Sequence, residues 1–134
     1  MKHTKIPHIL ATLIFAGIIM FSLTPATVSA CEIEVTVQEA SDNSYTAGDT
    51  VILKVAVFLT HRNCPEGIDA TQFTAQGMEV LGATQWTEVS HNRFERLVKV
   101  RITADEGDEA IFETQRTCSK EGGYDSLTLP VGTA

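Results

Sequence analysis

The chain has 134 residues, 43% of them hydrophobic, and a formal net charge of −7 from 17 acidic and 10 basic side chains. That length holds one domain at most. The acidic balance excludes recognition of nucleic acid or anionic lipid by bulk charge.

Residues 1–30 read as an export signal. Lys2 and Lys5 form a basic start, and no Asp, Glu, Lys or Arg occurs from Ile6 to Leu23. Pro25 breaks the apolar run, and Val28, Ser29 and Ala30 place small residues at a cleavage position. Cys31 follows directly, which opens two fates. In a lipobox reading it becomes the first mature residue and carries a lipid. In ordinary secretion it is an unmodified thiol at the new N-terminus. Val28 in place of the more usual Leu, and the polar stretch from Thr24 to Ser29, favour ordinary secretion. A third reading keeps the segment as an uncleaved anchor, although its apolar core is short for a hydrocarbon layer about 30 Å thick. Removing residues 1–30 takes two lysines and no acid. The mature domain, 31–134, then has 104 residues, eight basic and 17 acidic, and a charge of −9. It has no second apolar run.

The mature sequence reads as strands. Ile33, Val35 and Val37 alternate with Glu32, Glu34 and Thr36, the period of a half-buried strand. Ala47, Gly48 and Asp49 signal a turn. Val51, Leu53, Val55, Val57 and Leu59 then define one face of a strand, and Ile52, Ala56 and Phe58 the other. Both faces being apolar, the strand is expected to be central, with Lys54 as its wet exception. His61 to Ile68 is a loop marked by Asn63, Pro65 and Gly67. Phe73 and the stretch Met78 to Leu81 are weaker strands, and Trp86 to Val89 is a short one. Ser90, His91 and Asn92 form a turn. Phe94, Val98, Val100 and Ile102 share a face of a long strand. Asp105 to Glu109 is an acidic turn around Gly107, Ala110 to Thr117 is a strand, and Ser119 to Gly123 is a loop. Leu127, Leu129 and Val131 alternate in the last strand. About seven strands at roughly 8–12-residue spacing predict an all-β fold, an immunoglobulin-like antiparallel β-sandwich.

Three cysteines leave one odd. Cys64 and Cys118 are the natural disulfide pair, each at a strand-to-loop junction, and an oxidising compartment favours the bond. Cys31 is then the lipid attachment point or the N-terminal thiol. The alternative is a metal or thiol-redox site. His61 and Cys64 stand three apart, and Cys118 and Cys31 converge on them if the strand ends cluster. Thiolates with an imidazole suit Zn²⁺ or copper. A lone pair at this spacing is far less specific than paired CxxC motifs, so the expectation is no cofactor. His91 reads as a solvated turn residue.

Catalytic patterns are absent. There is no Gly-x-Ser-x-Gly elbow and no papain-like cysteine context, so no enzyme is expected. Asp105, Glu106, Asp108 and Glu109 lack the alternating ligand pattern of a calcium loop and read as a solvated turn. Arg93, Arg96, Lys99 and Arg101 form a small basic cluster. Three of them, Arg93, Lys99 and Arg101, share strand parity with Glu95, as on an exposed face with ion pairs. Trp86 reads as core more readily than as a ligand platform.

The run from Tyr45 to Val55, the stretch from Gly77 to Trp86 and the strand from Phe94 to Ile102 resemble bacterial exported Ig-like modules, including the N-terminal domain of the Bat-type aerotolerance proteins. The resemblance covers most of 31–131 and carries no catalytic residues. It implies a non-enzymatic extracytoplasmic module that binds another envelope protein, periplasmic or extracellular, touching a membrane only through a lipid anchor or an uncleaved signal. The segments His61 to Gly67 and Arg116 to Gly123 are not part of the generic Ig pattern. They look like the signature of a narrower group. The loop end with Arg62, Glu66, Lys120 and Tyr124 is the expected binding surface, since loops on rigid sandwiches carry function.

Overall fold

Alternating side chains need two packed layers to hide one face each, and the chain supplies them. A computed structural model describes residues 31–38, 44–60, 65–118 and 122–132. The strands are β1 (Cys31–Val37), β2 (Thr50–Leu59), β3 (Thr71–Gln76), β4 (Met78–Ala83), β5 (Thr87–Ser90), β6 (Arg93–Ile102), β7 (Glu109–Arg116) and β8 (Gly123–Pro130). A single 3₁₀ turn, Ile68–Ala70, precedes β3. The larger sheet runs β1-β2-β6-β4, with β5 also paired to β6, and the smaller runs β3-β7-β8. Every strand pair within them is antiparallel. The fold is an all-β sandwich.

This strand order is that of a seven-strand immunoglobulin-type sandwich. There the first, second, fifth and fourth strands form one sheet and the third, sixth and seventh the other. The eighth strand arises because the fourth position is split. β4 pairs with the Val98–Ile102 half of β6, and β5 pairs with the Arg93–Glu95 half. Between them Thr84 ties the chain to β6: its N–H donates to the Leu97 C=O, and the Leu97 N–H donates to the Thr84 hydroxyl.

The core follows the predicted parity. Leu53, Val57, Val98, Val100, Ala110 and Phe112 have no exposed surface. Each of these side chains except Ala110 contributes about 1.5–3 kcal/mol, as an upper bound. β2 is central, between β1 and β6, as its apolar character required. Its inner face is wholly buried, but Ile52, Lys54 and Phe58 on the outer face are only half-buried. The outer face of the larger sheet is therefore not packed against another layer among the described residues.

Two contacts close the layers. The Val35 N–H of edge strand β1 donates to the Asp125 carboxylate on β8 at 2.7 Å, so one sheet edge satisfies its backbone across the gap. At the other side Gly77 carries the chain from β3 to β4, and hence from the smaller sheet to the larger. Its carbonyl accepts both the Thr103 and Ala104 N–H groups at 2.9 Å. Its φ of +64° and the closeness of Glu109 leave room for glycine only.

Candidate interaction surface

Three regions could carry function: the cysteine-bearing end, the inward arginine, and the outer face and rim of the larger sheet.

The cysteine-bearing end is assembled by register. Cys31 opens β1 opposite Leu59, the last residue of β2. Gly123 opens β8 opposite Arg116, the last residue of β7. A Cβ on Gly123 would lie 2.5 Å from the Cys31 carbonyl oxygen, so these two strand starts abut. Arg116 is buried, and its guanidinium donates to the Ile68 carbonyl at 3.3 Å and the Thr71 hydroxyl at 3.1 Å. That ties the turn before β3 to the end of β7. Cys31 is 1% exposed, and Cys118, two residues past β7, is half-buried. Cys31 thus lies at the end of the sandwich where β7 finishes, two residues before Cys118. His61, Arg62, Cys64 and Lys120 lie outside the described residues, and with them the expected Cys64–Cys118 bond and the full His/Cys set. Among the described residues there is no disulfide, and no group of three His, Cys, Asp or Glu side chains is placed to hold a metal.

One expectation about the loop residues changes, that for Tyr124. Glu66 is exposed in the turn before the 3₁₀ segment. Tyr124, expected in a binding loop, is instead the second residue of β8. The strand begins four residues before Leu127 because Tyr124 and Asp125 make cross-strand bonds that a loop would lack. The Tyr124 hydroxyl donates to Glu113 at 2.7 Å, and the Thr74 hydroxyl donates to the other Glu113 oxygen at 3.1 Å. This three-strand chain staples the outer face of the smaller sheet. The bond to Glu113 is the main cause that raises the Tyr124 pKa above its ordinary 10.0.

Arg96 departs from its basic neighbours. Its parity is that of Val98 and Val100, so it points between the sheets. Its guanidinium carbon lies 5.1 Å from the centre of the Trp86 ring and 5.8 Å from that of Phe73. Phe73 in turn stacks on Phe112 at 5.4 Å. Among the described residues Arg96 has no ion pair, and its buried Nε has no hydrogen-bond partner. The two rings solvate the cation. Trp86 thus packs against the core, as expected, and also serves as a platform.

Two of the outward basic residues, Arg93 and Arg101, form the expected ion pairs, and Lys99 forms none among the described residues. Arg93 pairs with Glu34 at 3.6 Å and Glu95 at 3.4 Å, and Arg101 pairs with Glu79 at 3.4 Å. Exposed pairs like these contribute little each. The acidic turn 105–109 is a solvated turn, closed by Asp108 N–H donating to Asp105 C=O. His91 is exposed, beside Asn92 at φ 60°.

The sequence reading missed the rim. Val80, Leu81 and Val89 on β4 and β5 are 36%, 38% and 50% exposed, on an outer strand position of the larger sheet. Bulges interrupt the register after Val80 and after Glu88. Bulges of this kind blunt an edge against uncontrolled strand pairing while leaving its side chains presented. Three shallow depressions, of about 230, 380 and 380 Å³, lie on the adjoining outer face.

In comparisons with protein-family models, curated proteins and solved structures, nothing matches this chain.

Proposed function

We propose that the mature chain is a non-catalytic extracytoplasmic Ig-like module that works by protein–protein contact in the cell envelope. The observation that carries this reading is the rim: three large apolar side chains, Val80, Leu81 and Val89, left 36–50% exposed on the bulged outer strands of an otherwise well-buried sandwich. They are spread along one sheet edge, Val80 opposite Val100 and Val89 beside the Glu88–Phe94 pair about six residues away on β6, so the exposed apolar surface is a strip roughly 20 Å long. Apolar surface left bare along an edge supports an interaction role. The export signal and the resemblance to exported Ig-like modules support the compartment and the role. The test is a variant with Val80→Ser, Leu81→Ser and Val89→Ser, expressed as the full chain and recovered from the envelope under native conditions. The wild type is expected to elute in a complex, and the variant alone with an unchanged Tm. Identical elution of the two contradicts the reading.

A second reading, a metal-binding or thiol-redox module using His61, Cys64, Cys118 and Cys31, is favoured by one observation. The buried Cys31 and the strand end that leads to Cys118 share one end of the sandwich. Intact native mass with and without reduction and alkylation tests it. Stoichiometric zinc or copper, or a bond reduced at mild potential, supports this reading; an inert disulfide without metal refutes it.

A further inference from the structure

At the centre of the larger sheet's outer face, two neighbouring strands set four side chains in a checkerboard. Ile52 stands opposite Lys99, and Lys54 opposite Leu97. The apolar pair lies on one diagonal and the lysines on the other, with diagonal neighbours about 7–8 Å apart. The third strand leaves this square open. Gly82 lies opposite Lys99 and contributes no side chain, and Thr84 is turned to the Leu97 backbone. The result is two depressions, each of about 380 Å³, that meet at Thr84 and Leu97.

The charges there are unusual for this protein. The mature chain has eight basic and 17 acidic residues. Even so, Lys54 and Lys99 make no ion pair or side-chain hydrogen bond among the described residues. The acids at diagonal register positions, Glu34 and Glu95 near Lys54 and Glu79 near Lys99, are engaged by Arg93 and Arg101. The face therefore offers two uncompensated cations around an apolar floor, in a chain that elsewhere repels acidic partners.

We propose that this groove docks an acidic, extended segment of a partner protein, which seats apolar side chains on Ile52 and Leu97 and carboxylates on Lys54 and Lys99. The diagonal spacing of the lysines matches that of alternate side chains on one face of an extended chain, about 7 Å. Steering by the lysines gives the contact its preference for acidic segments, and the apolar floor holds it. This assignment rests on the protein-contact reading and adds to it the chemistry of the partner.

The test uses the full chain, expressed and recovered from the envelope, and a labelled ten-residue peptide with four Glu and three Leu. A peptide with Lys in place of Glu is the control. Fluorescence anisotropy is expected to show the acidic peptide binding at least tenfold tighter than the control, and more weakly as salt rises. Lys54→Glu with Lys99→Glu is expected to lose at least tenfold. Gly82→Phe is expected to do the same by filling the groove. A Cβ at Gly82 meets nothing within 4 Å, so this variant keeps its Tm. Equal binding of both peptides, or variants that bind like the wild type, overturns the assignment. A wild-type dimer that the lysine variant converts to monomer also overturns it, because the occupant is then a second copy. The rim variant is an independent arm. If its complex is lost while the peptide result is negative, only the groove assignment falls; if both are negative, the broader reading falls with it.

Discussion

Gly77→Ala is the most informative single change to the fold. Gly77 has φ +64°, and a Cβ there would meet the Glu109 carbonyl oxygen at 2.8 Å, Ala104 Cβ at 2.9 Å and Ala110 Cα at 3.3 Å. The obstacles are backbone atoms and a methyl with no rotamer, so none swings aside. The left-handed backbone costs an L-residue about 1–2 kcal/mol. Forcing an extra carbon into packed structure adds about 1–3 kcal/mol. The lower entropy of the unfolded Ala chain returns roughly 0.4–1 kcal/mol. The net loss is centred on about 3 kcal/mol within a range of about 1–5, and at roughly 4–8 °C per kcal/mol for a domain of this size the central value lowers Tm by about 12–24 °C. Two other glycines separate the contributions. Gly48 has φ +97° with nothing near a new Cβ, so Gly48→Ala registers the backbone cost alone, about 1 kcal/mol. Gly82 has open space and an ordinary φ, so Gly82→Ala stays within about 0.5 kcal/mol of wild type. Urea unfolding followed by the fluorescence of the sole tryptophan, Trp86, measures all three. If Gly77→Ala costs no more than Gly48→Ala, the close approach of β4 to the Ala104–Ala110 turn is not as described, and the crossover argument fails.

Other consequences are equally measurable. A double-mutant cycle of Arg96→Met and Trp86→Leu is expected to give a favourable coupling of about 0.5–2 kcal/mol; a coupling near zero contradicts solvation of the cation by the ring. In a Tyr45→Phe background, ultraviolet titration should place Tyr124 above 10.0, and Glu113→Gln should bring it down. The phenol donates only while protonated. Its contribution is therefore complete below pH 10 and lost as pH rises through the raised midpoint, and stability flat across that window would count against the bond. Reduction of the expected Cys64–Cys118 bond, which closes a loop of about 55 residues, should lower stability by up to about 4 kcal/mol; an unchanged denaturation midpoint on adding reductant argues against the pair.

Legibility in the sequence followed the range of the forces involved. Period-two alternation is local, so β1, β2, β6 and β7 were each placed to within a couple of residues, and the inward parity of Val98, Val100 and Ile102 was correct. Met78 to Leu81 and Trp86 to Val89 are legible as two short strands, but their sharing of one strand position beside β6 is not. It depends on Thr84 bonding to Leu97, 13 residues away. The early start of β8 was hidden for the same reason, since Tyr124 is held by Glu113 and Asp125 by Val35. Arg96 was grouped by charge with Arg93, Lys99 and Arg101, although its own parity with Val98 points it inward. Its ring partners Trp86 and Phe73 lie on other elements. The rim escaped notice because Val80, Leu81 and Val89 read as ordinary strand residues. Only the outer position of β4 and β5 leaves them bare. Lys54, read as a wet exception, was the one sign that the outer face of a central strand stays open.

The measurement that bears most directly on the protein-contact reading is site-specific photo-cross-linking in living cells. A photoreactive side chain replaces Val89, which is 50% exposed, and in a second strain Glu106, in the exposed acidic turn. A discrete protein adduct is expected from position 89 and not from position 106, and Val80→Ser with Leu81→Ser is expected to remove it. No adduct from position 89, or the same adducts from both positions, contradicts the protein-contact reading.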